Sequence, residues 1–151
     1  MPTYTVTTAN VALTSVQEGE IAAAITDAHH QNTGAPGFFA QVLFVTLPER
    51  KHYIGGKLNS TPQIYIHGLI RAGRSAAAKT GLLQQITSKA REISGVGAED
   101  IWVYVQDIPP EQMVEFGRVL PAPGAEDQWQ KALSPGKRQQ LAAAGVAIGA
   151  L

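Results

Sequence analysis

The order strand, helix, strand occurs twice along the chain with nearly the same spacing. The prolines that precede the first strands, Pro2 and Pro62, are 60 residues apart, and the polar residues expected to begin the helices, Thr14 and Ser75, are 61 apart. A regular period of this kind indicates repeated structural units. We therefore predict one domain, 1–151, built from two pseudo-repeats. The predicted boundaries are about 2–48 and 62–120 for the repeats and 121–151 for a C-terminal tail.

Each repeat is expected to contain two parallel strands joined by a right-handed crossover through its helix. The run QIYIHGLI, residues 63–70, is apolar at odd and even positions, which predicts a strand at the centre of a sheet and buried on both faces. We predict an α+β fold in which two fused β-α-β units form a four-stranded sheet with both helices on one face. The other face would be apolar and uncovered, which predicts an oligomer.

The composition excludes several classes of protein and site. Twelve basic residues balance twelve acidic residues, so we expect neither nucleic acid nor a membrane as partner. The absence of cysteine excludes disulfides, thiol catalysis and thiolate metal sites. The sequence has neither a signal-peptide pattern nor an apolar run of the ~20 residues that a membrane span needs. We therefore expect a cytoplasmic protein.

The N-terminal proline is a candidate acid or base. Pro2 directly follows Met1, and a small residue at this position normally permits removal of the initiator methionine. An α-amino group titrates at roughly 7.7–8.0, so a free prolyl amine can give or take a proton at cellular pH. Met1, if retained, would acylate this nitrogen and abolish its basicity. Many proteins begin with Met-Pro, so this pair of residues alone is a weak signal.

Two arginines in the segment IRAGRS form a candidate carboxylate clamp. Arg71 and Arg74 follow a predicted strand and precede a helix, where bidentate guanidinium groups and the helix dipole both favour an anion. No acidic residue lies between Pro62 and Glu92, so we expect the positive charge of the pair to be unpaired and available to a ligand. Two solvated surface arginines are the alternative.

Three further residues could take part in chemistry. His29, at the end of the first predicted helix, would face the same cavity and bind an oxyanion, although a C-terminal helix cation is the alternative. Tyr104 alternates with valines in IWVYV, so its ring points away from their face. Glu115 stands among apolar residues, and burial would raise its pKa and make it a usable acid or base. A core tyrosine and a surface glutamate are the alternatives for the last two.

Several segments in order resemble one family. AITDAHH, the loop and strand TG…FFAQV, IHGLIRAGRS, IWVYV and QMVEFGRVLPAPG are similar to the tautomerase superfamily, in the long-chain branch typified by cis-3-chloroacrylic acid dehalogenase. This resemblance covers most of the chain and implies an N-terminal catalytic proline and a homotrimer. It departs from the family at Ile70, at Phe116 and in the loop NTGAPGFF, which leaves substrate preference open. The residues implied are Pro2, Tyr104 and Glu115 for catalysis and His29, Arg71 and Arg74 for substrate binding.

The resemblance implies a hydrolytic dehalogenase or hydratase of small unsaturated carboxylates such as cis-3-haloacrylate, with no cofactor and no metal. The two arginines and His29 would bind the carboxylate, Glu115 and Tyr104 would activate water, and Pro2 would supply a proton. One alternative is a keto–enol tautomerase in which Pro2 is the general base. Another is a non-catalytic oligomeric binding protein on the same fold, because fold alone does not determine activity.

Overall fold

A mixed four-stranded sheet is the framework of the molecule, as shown by a computed structural model that describes residues 2–35, 40–122 and 124–146. Its strands are β1 (Thr3–Ala9), β2 (Gln41–Thr46), β5 (Gln63–Arg71) and β6 (Ile101–Ile108). They lie side by side in the order β2-β1-β5-β6. The pairs β1–β2 and β5–β6 are parallel, whereas β1 and β5 are antiparallel. The predicted α+β class and four-stranded sheet are confirmed.

One long helix follows the first strand of each half, and local sequence signals define where each helix begins and ends. Helix α1 is Ser15–Thr33 and helix α2 is Ala76–Ser94. The side chain of Thr14 accepts from the Gln17 amide, and the Ser75 side chain caps α2 in the same way. Each helix ends at a glycine in the left-handed conformation, which a residue without a Cβ adopts at low cost. The helix starts at Thr14 and Ser75 are therefore confirmed.

The core lies between the two helices and one face of the sheet. The helices contact each other and bury their apolar sides against the even-numbered positions of β1 and β5. The strand β5 is central, as predicted, but it is fully buried on one face only, because Tyr65, His67 and Leu69 on the other face remain partly exposed. The largest fully buried side chains of this core are Tyr4, Val6, Ile21, Ile25, Ile64, Ile66, Ile70, Leu82 and Ile86.

The opposite face of the sheet carries aromatic and aliphatic side chains that none of the described helices covers. Tyr65 pairs in register with Trp102, and His67 with Tyr104. The exposed fractions of Trp102 and Tyr104 are 42% and 54%. Leu43 and Val45 of β2 continue the same face beyond β1 and are also exposed. We call this surface the aromatic face.

Shorter elements join and follow the two halves. A hairpin of β3 (Tyr53–Ile54) and β4 (Lys57–Leu58) separates them, and a second hairpin of β7 (Val114–Glu115) and β8 (Arg118–Val119) follows β6. The tail forms α3 (Glu126–Lys131) and α4 (Pro135–Ala143). No helix among the described residues combines the length and apolar character required to cross a bilayer.

Gly68 is required by the close approach of β5 to the Tyr4 ring. A Cβ at this position would lie 2.8 Å from Tyr4 Cδ1. The ring cannot move away easily, because it is fully buried and its hydroxyl is hydrogen-bonded to His29. We expect Gly68→Ala to lower the free energy of unfolding by about 1–3 kcal/mol, as overpacking of a core typically does. Urea denaturation at fixed protein concentration measures this change.

Gly19 provides the matched control for that substitution. It lies inside α1, and a Cβ there would meet nothing within 4 Å. Gly19→Ala should therefore raise the free energy of unfolding by roughly 0.5–1 kcal/mol through helix propensity. Equal effects of the two substitutions would contradict the argument from the Tyr4 contact.

Candidate active site

A cavity with about 360 Å³ of empty space lies at one end of the sheet, next to the beginning of β1. Its lining combines apolar and ionisable groups, including the N-terminal proline and both arginines of the segment IRAGRS. Pro2 itself is fully buried. The structure thus brings four of the six predicted site residues around one space. The residues that line the cavity are Pro2, His29, Ala35, Arg71, Arg74, Leu120, Pro121 and Glu126.

The register between β1 and β5 explains why Pro2 lies near the arginines. Thr3 pairs with Leu69 in the antiparallel ladder, so Pro2 lies beside the end of β5, where Arg71 is the last residue. The Pro2 carbonyl accepts a hydrogen bond of 3.0 Å from the Gln41 amide at the start of β2. Pro2 is therefore bound to β2 through its own carbonyl and is placed beside β5 by the pairing of the next residue, Thr3.

The arginine pair is held by backbone carbonyls and by an acidic residue of the tail. Arg71 donates through Nη1 to the Pro121 carbonyl at 2.8 Å and through Nη2 to Glu126. Arg74 donates through Nη1 to the Thr33 carbonyl at 2.7 Å, and its Nη2 lies 3.9 Å from Glu126 Oε1. Both guanidinium groups are consequently fixed in orientation toward the cavity.

The expectation that the charge of this pair is unpaired is wrong. Glu126 forms an ion pair with Arg71 and comes within 3.9 Å of Arg74. Burial alone would raise the pKa of Glu126, but the hydrogen bond and the positive charge of Arg71 hold it below the ordinary value. The Glu126 carboxylate is therefore ionised at neutral pH, and its negative charge compensates one of the two positive charges of the arginine pair.

His29 is a neutral hydrogen-bond donor in this cavity at neutral pH. Only 5% of its surface is exposed. Burial, followed by the charges of Arg74 and Arg71, lowers the pKa of His29 to about 4. Its Nδ1 lies 2.9 Å from the Tyr4 hydroxyl, which is itself buried and whose pKa is raised by burial. If this hydroxyl donates to Nδ1, the proton of the neutral imidazole is on Nε2.

Glu115 lies beside this cavity rather than in its lining. It belongs to β7, and the groove it borders also contains Thr3, the residue that follows Pro2. Burial raises the pKa of the Glu115 carboxyl, and the charge of Arg71 offsets part of this effect. A half-buried carboxyl with a raised pKa, next to the N-terminal segment, can act as an acid or base.

Tyr104 is the one predicted site residue that a single chain does not bring near the others. It lies on the aromatic face, and its ring contacts Tyr65 edge-to-face with centroids 5.2 Å apart. The alternation of side chains along β6 directs it away from the helices. Tyr104 therefore lies outside the lining of the cavity and outside the groove of Glu115, and its predicted assistance to Glu115 stays a prediction.

Two residues that contact the predicted site residues, Tyr4 and Glu126, were not identified from the sequence. Tyr4 orients His29, and its only sequence signal is an aromatic residue within a short β-type run. Glu126 stands in an acidic pair at the beginning of α3, a position that the helix dipole favours for carboxylates in general. Among the described residues, no group of three or more histidine, aspartate or glutamate side chains is placed to hold a metal ion.

Comparisons with known proteins identify the family of this chain. The family model described as "Putative oxalocrotonate tautomerase enzyme" matches residues 1–133. The crystal structure of N1, a member of the cis-3-chloroacrylic acid dehalogenase family, is 33% identical, with a TM-score of 0.85 over 93% of this chain and 99% of that chain. Native Ps01740 is 32% identical, with a TM-score of 0.69 over 75% and 99% of the two chains.

More distant structures share the fold alone. A wild-type fused 4-OT, described as an asymmetric trimer, is 23% identical with a TM-score of 0.69 over 78% of this chain and 94% of that one. A search of curated protein sequences gives no match. The length of the family match and the similarity to N1 together establish that this chain belongs to the tautomerase superfamily, in its cis-3-chloroacrylic acid dehalogenase-like branch.

Proposed function

We propose that this protein is a cofactor-independent hydratase and dehalogenase of small unsaturated carboxylates such as cis-3-haloacrylate. The observation that carries the proposal is the common cavity of Pro2, His29 and the two arginines. A protonatable imino group within the same cavity as a pair of guanidinium groups suits an acid that must be held by its carboxylate while a proton is delivered to its carbon chain.

The arginines and His29 bind the carboxylate of the substrate. Arg71 and Arg74 supply charge-assisted hydrogen bonds, and neutral His29 donates from Nε2. Electron withdrawal toward the bound carboxylate polarises the double bond and makes C3 electrophilic. A neutral His29 adds no third positive charge to the cavity, so it contributes direction to the binding of the anion rather than additional Coulomb attraction.

Water then adds across the double bond. Glu115 takes a proton from the water as its oxygen attacks C3, and protonated Pro2 delivers a proton to C2. The resulting halohydrin loses halide and a proton to give malonate semialdehyde. The raised pKa of Glu115 suits this role, because a base with a pKa closer to neutrality accepts a proton more readily.

Tyr104 links this activity to an oligomer. Tyr104 lies on the exposed aromatic face, where a second copy of the chain could pack. We propose a homotrimer closed through this surface, in which Tyr104 of one copy assists the water-activating step in a neighbouring copy. The parallel pairs β1–β2 and β5–β6, each bridged by one helix, support the interpretation of the chain as two fused β-α-β units.

A keto–enol tautomerase is the second candidate. It requires Pro2 as a base and a cation for the carboxylate, and one chain already brings both together. It does not require Tyr104 to meet Glu115, and Tyr104 is not among the residues that line the groove of Glu115. In this reaction neutral Pro2 transfers a proton between carbon and oxygen of an enol substrate.

The first test is halide release from cis-3-chloroacrylate, compared with ketonisation of phenylenolpyruvate. Mass spectrometry of each preparation gives the fraction of chains that lack Met1. We expect halide release to rise in proportion to that fraction, because an acylated Pro2 nitrogen cannot hold the proton. Equal halide release by preparations with and without Met1 would exclude Pro2 as the acid.

Glu115→Gln should separate the two activities. We expect it to reduce halide release by about 10²–10⁴-fold, because glutamine cannot accept the proton of water. Ketonisation should change by less than about threefold, since that reaction uses Pro2 alone as base. Glu111→Gln, at an exposed position of the same segment, is the matched control and should alter neither rate. Parallel losses of both activities in Glu115→Gln would contradict the assignment of water activation to Glu115.

The neutral state of His29 has a measurable pH dependence. Its pKa of about 4 lies below the ordinary value of 6.5. Between pH 4 and pH 6.5, therefore, His29 is protonated in the unfolded chain and neutral in the folded chain. The free energy of unfolding is therefore undiminished by His29 above pH 6.5, and it decreases by up to about 3 kcal/mol as the pH falls toward 4.

Urea denaturation of the wild type and of His29→Gln across pH 4–7 isolates this contribution from that of the carboxylates. We expect the wild type to lose more stability than the variant over this range. An NMR titration of the His29 ring with a midpoint near pH 6.5 would show that the imidazole is not held neutral by its surroundings.

A further inference from the structure

The Glu126 carboxylate occupies the position between the two guanidinium groups. Its Oε1 accepts from Arg71 and lies 3.9 Å from Arg74 Nη2, and its Oε2 accepts from the Gly124 amide at 2.7 Å. Only 17% of the side chain is exposed. A side-chain carboxylate of the protein therefore makes the contacts that a ligand carboxylate would make in the same cavity.

Each arginine uses one terminal nitrogen to bind a backbone carbonyl and directs the other toward the Glu126 side chain. Arg71 Nη1 and Arg74 Nη1 donate to the carbonyls of Pro121 and Thr33. The remaining pair, Arg71 Nη2 and Arg74 Nη2, faces Glu126. The carbonyl bonds orient the guanidinium groups independently of Glu126, so the clamp keeps its geometry when that carboxylate leaves.

Helix α3 is attached to the molecule by contacts that do not involve this ion pair. Trp129 donates from its indole nitrogen to the Val119 carbonyl at 2.8 Å, and Arg118 donates to the Ala132 carbonyl at 2.9 Å. Trp129 and Leu133 also form a small core with Leu120. Because these contacts hold α3 in place, the Glu126 side chain can rotate out of the clamp without detachment of the tail.

We propose that Glu126 is an internal competitor for the carboxylate site, which occupies the arginine clamp in the empty protein and leaves it when a ligand carboxylate binds. This inference rests on the proposed role of Arg71 and Arg74 as the carboxylate clamp. Every anionic ligand must then offset the loss of the internal ion pair. The apparent affinity therefore equals the intrinsic affinity multiplied by the fraction of molecules in which the clamp is open. Neutral ligands of the same shape gain nothing from that exchange.

Propionate is the probe for this exchange, because it carries the carboxylate and has no double bond to react. Its affinity for Met1-free protein is measured by calorimetry in the wild type and in Glu126→Gln. The glutamine keeps an oxygen that can accept from the Gly124 amide, so the fold of the tail is retained. We expect the variant to bind propionate about tenfold more tightly, because a neutral amide competes weakly for the arginines.

Two controls make the comparison specific. Asp127→Asn removes the same charge from the neighbouring, exposed position of α3 and should leave propionate affinity unchanged. Propionamide, the neutral analogue, should bind the wild type and Glu126→Gln equally. A gain of equal size in Asp127→Asn would attribute the effect to net charge and overturn the proposal.

Other outcomes separate this inference from the proposed reaction. Unchanged or weaker propionate binding by Glu126→Gln overturns the inference, as does the absence of binding in both proteins, even where the wild type releases halide from cis-3-chloroacrylate. Tighter propionate binding by the variant, together with no halide release by Met1-free wild type, overturns the proposed reaction and leaves the competitor role of Glu126 supported.

Discussion

The antiparallel pairing of β1 with β5 is the interaction on which the rest of the molecule depends. Each half of the chain forms a parallel pair of strands, and the ladder from Thr3–Leu69 to Ala9–Gln63 joins the two pairs into one sheet. The same ladder places the start of β1 against the end of β5, and therefore Pro2 beside Arg71. Because a register shift by one residue would turn every side chain of β1 to the other face, core packing and cavity geometry are fixed together.

Tyr4 connects that core to the chemistry of the cavity. Its ring fills the space beside Gly68, and its hydroxyl meets His29 at 2.9 Å. Burial raises the pKa of this hydroxyl, so Tyr4 stays protonated and can donate to an unprotonated Nδ1 of the imidazole. The orientation of His29 is thus determined by a side chain of the sheet core rather than by a flexible surface group, which suits a donor that must meet an anion in a fixed position.

The sequence predicted the parts of this structure that depend on local signals and failed where distant segments meet. The caps at Thr14 and Ser75 and the central position of β5 follow from capping chemistry and apolar patterning, and both predictions are confirmed. The partner of Arg71 could not be found in this way, because Glu126 is 55 residues away and no local pattern links them. The face of Tyr104 could be predicted from strand alternation, but the position of the cavity relative to that face could not.

The two arginines set the protonation states of their neighbours as well as the charge of the cavity. Their positive charge adds to burial in keeping His29 neutral, and Arg71 keeps Glu126 ionised although burial opposes it. Arg71 also lowers the pKa of Glu115, which burial alone would raise further. A change in the charge of Arg71 would therefore alter the pKa of both carboxyl groups and of the imidazole. In the exchange that we propose, a ligand carboxylate replaces the Glu126 carboxylate between the guanidinium groups, so the charge at that position is preserved while the reacting carbon atoms enter the cavity.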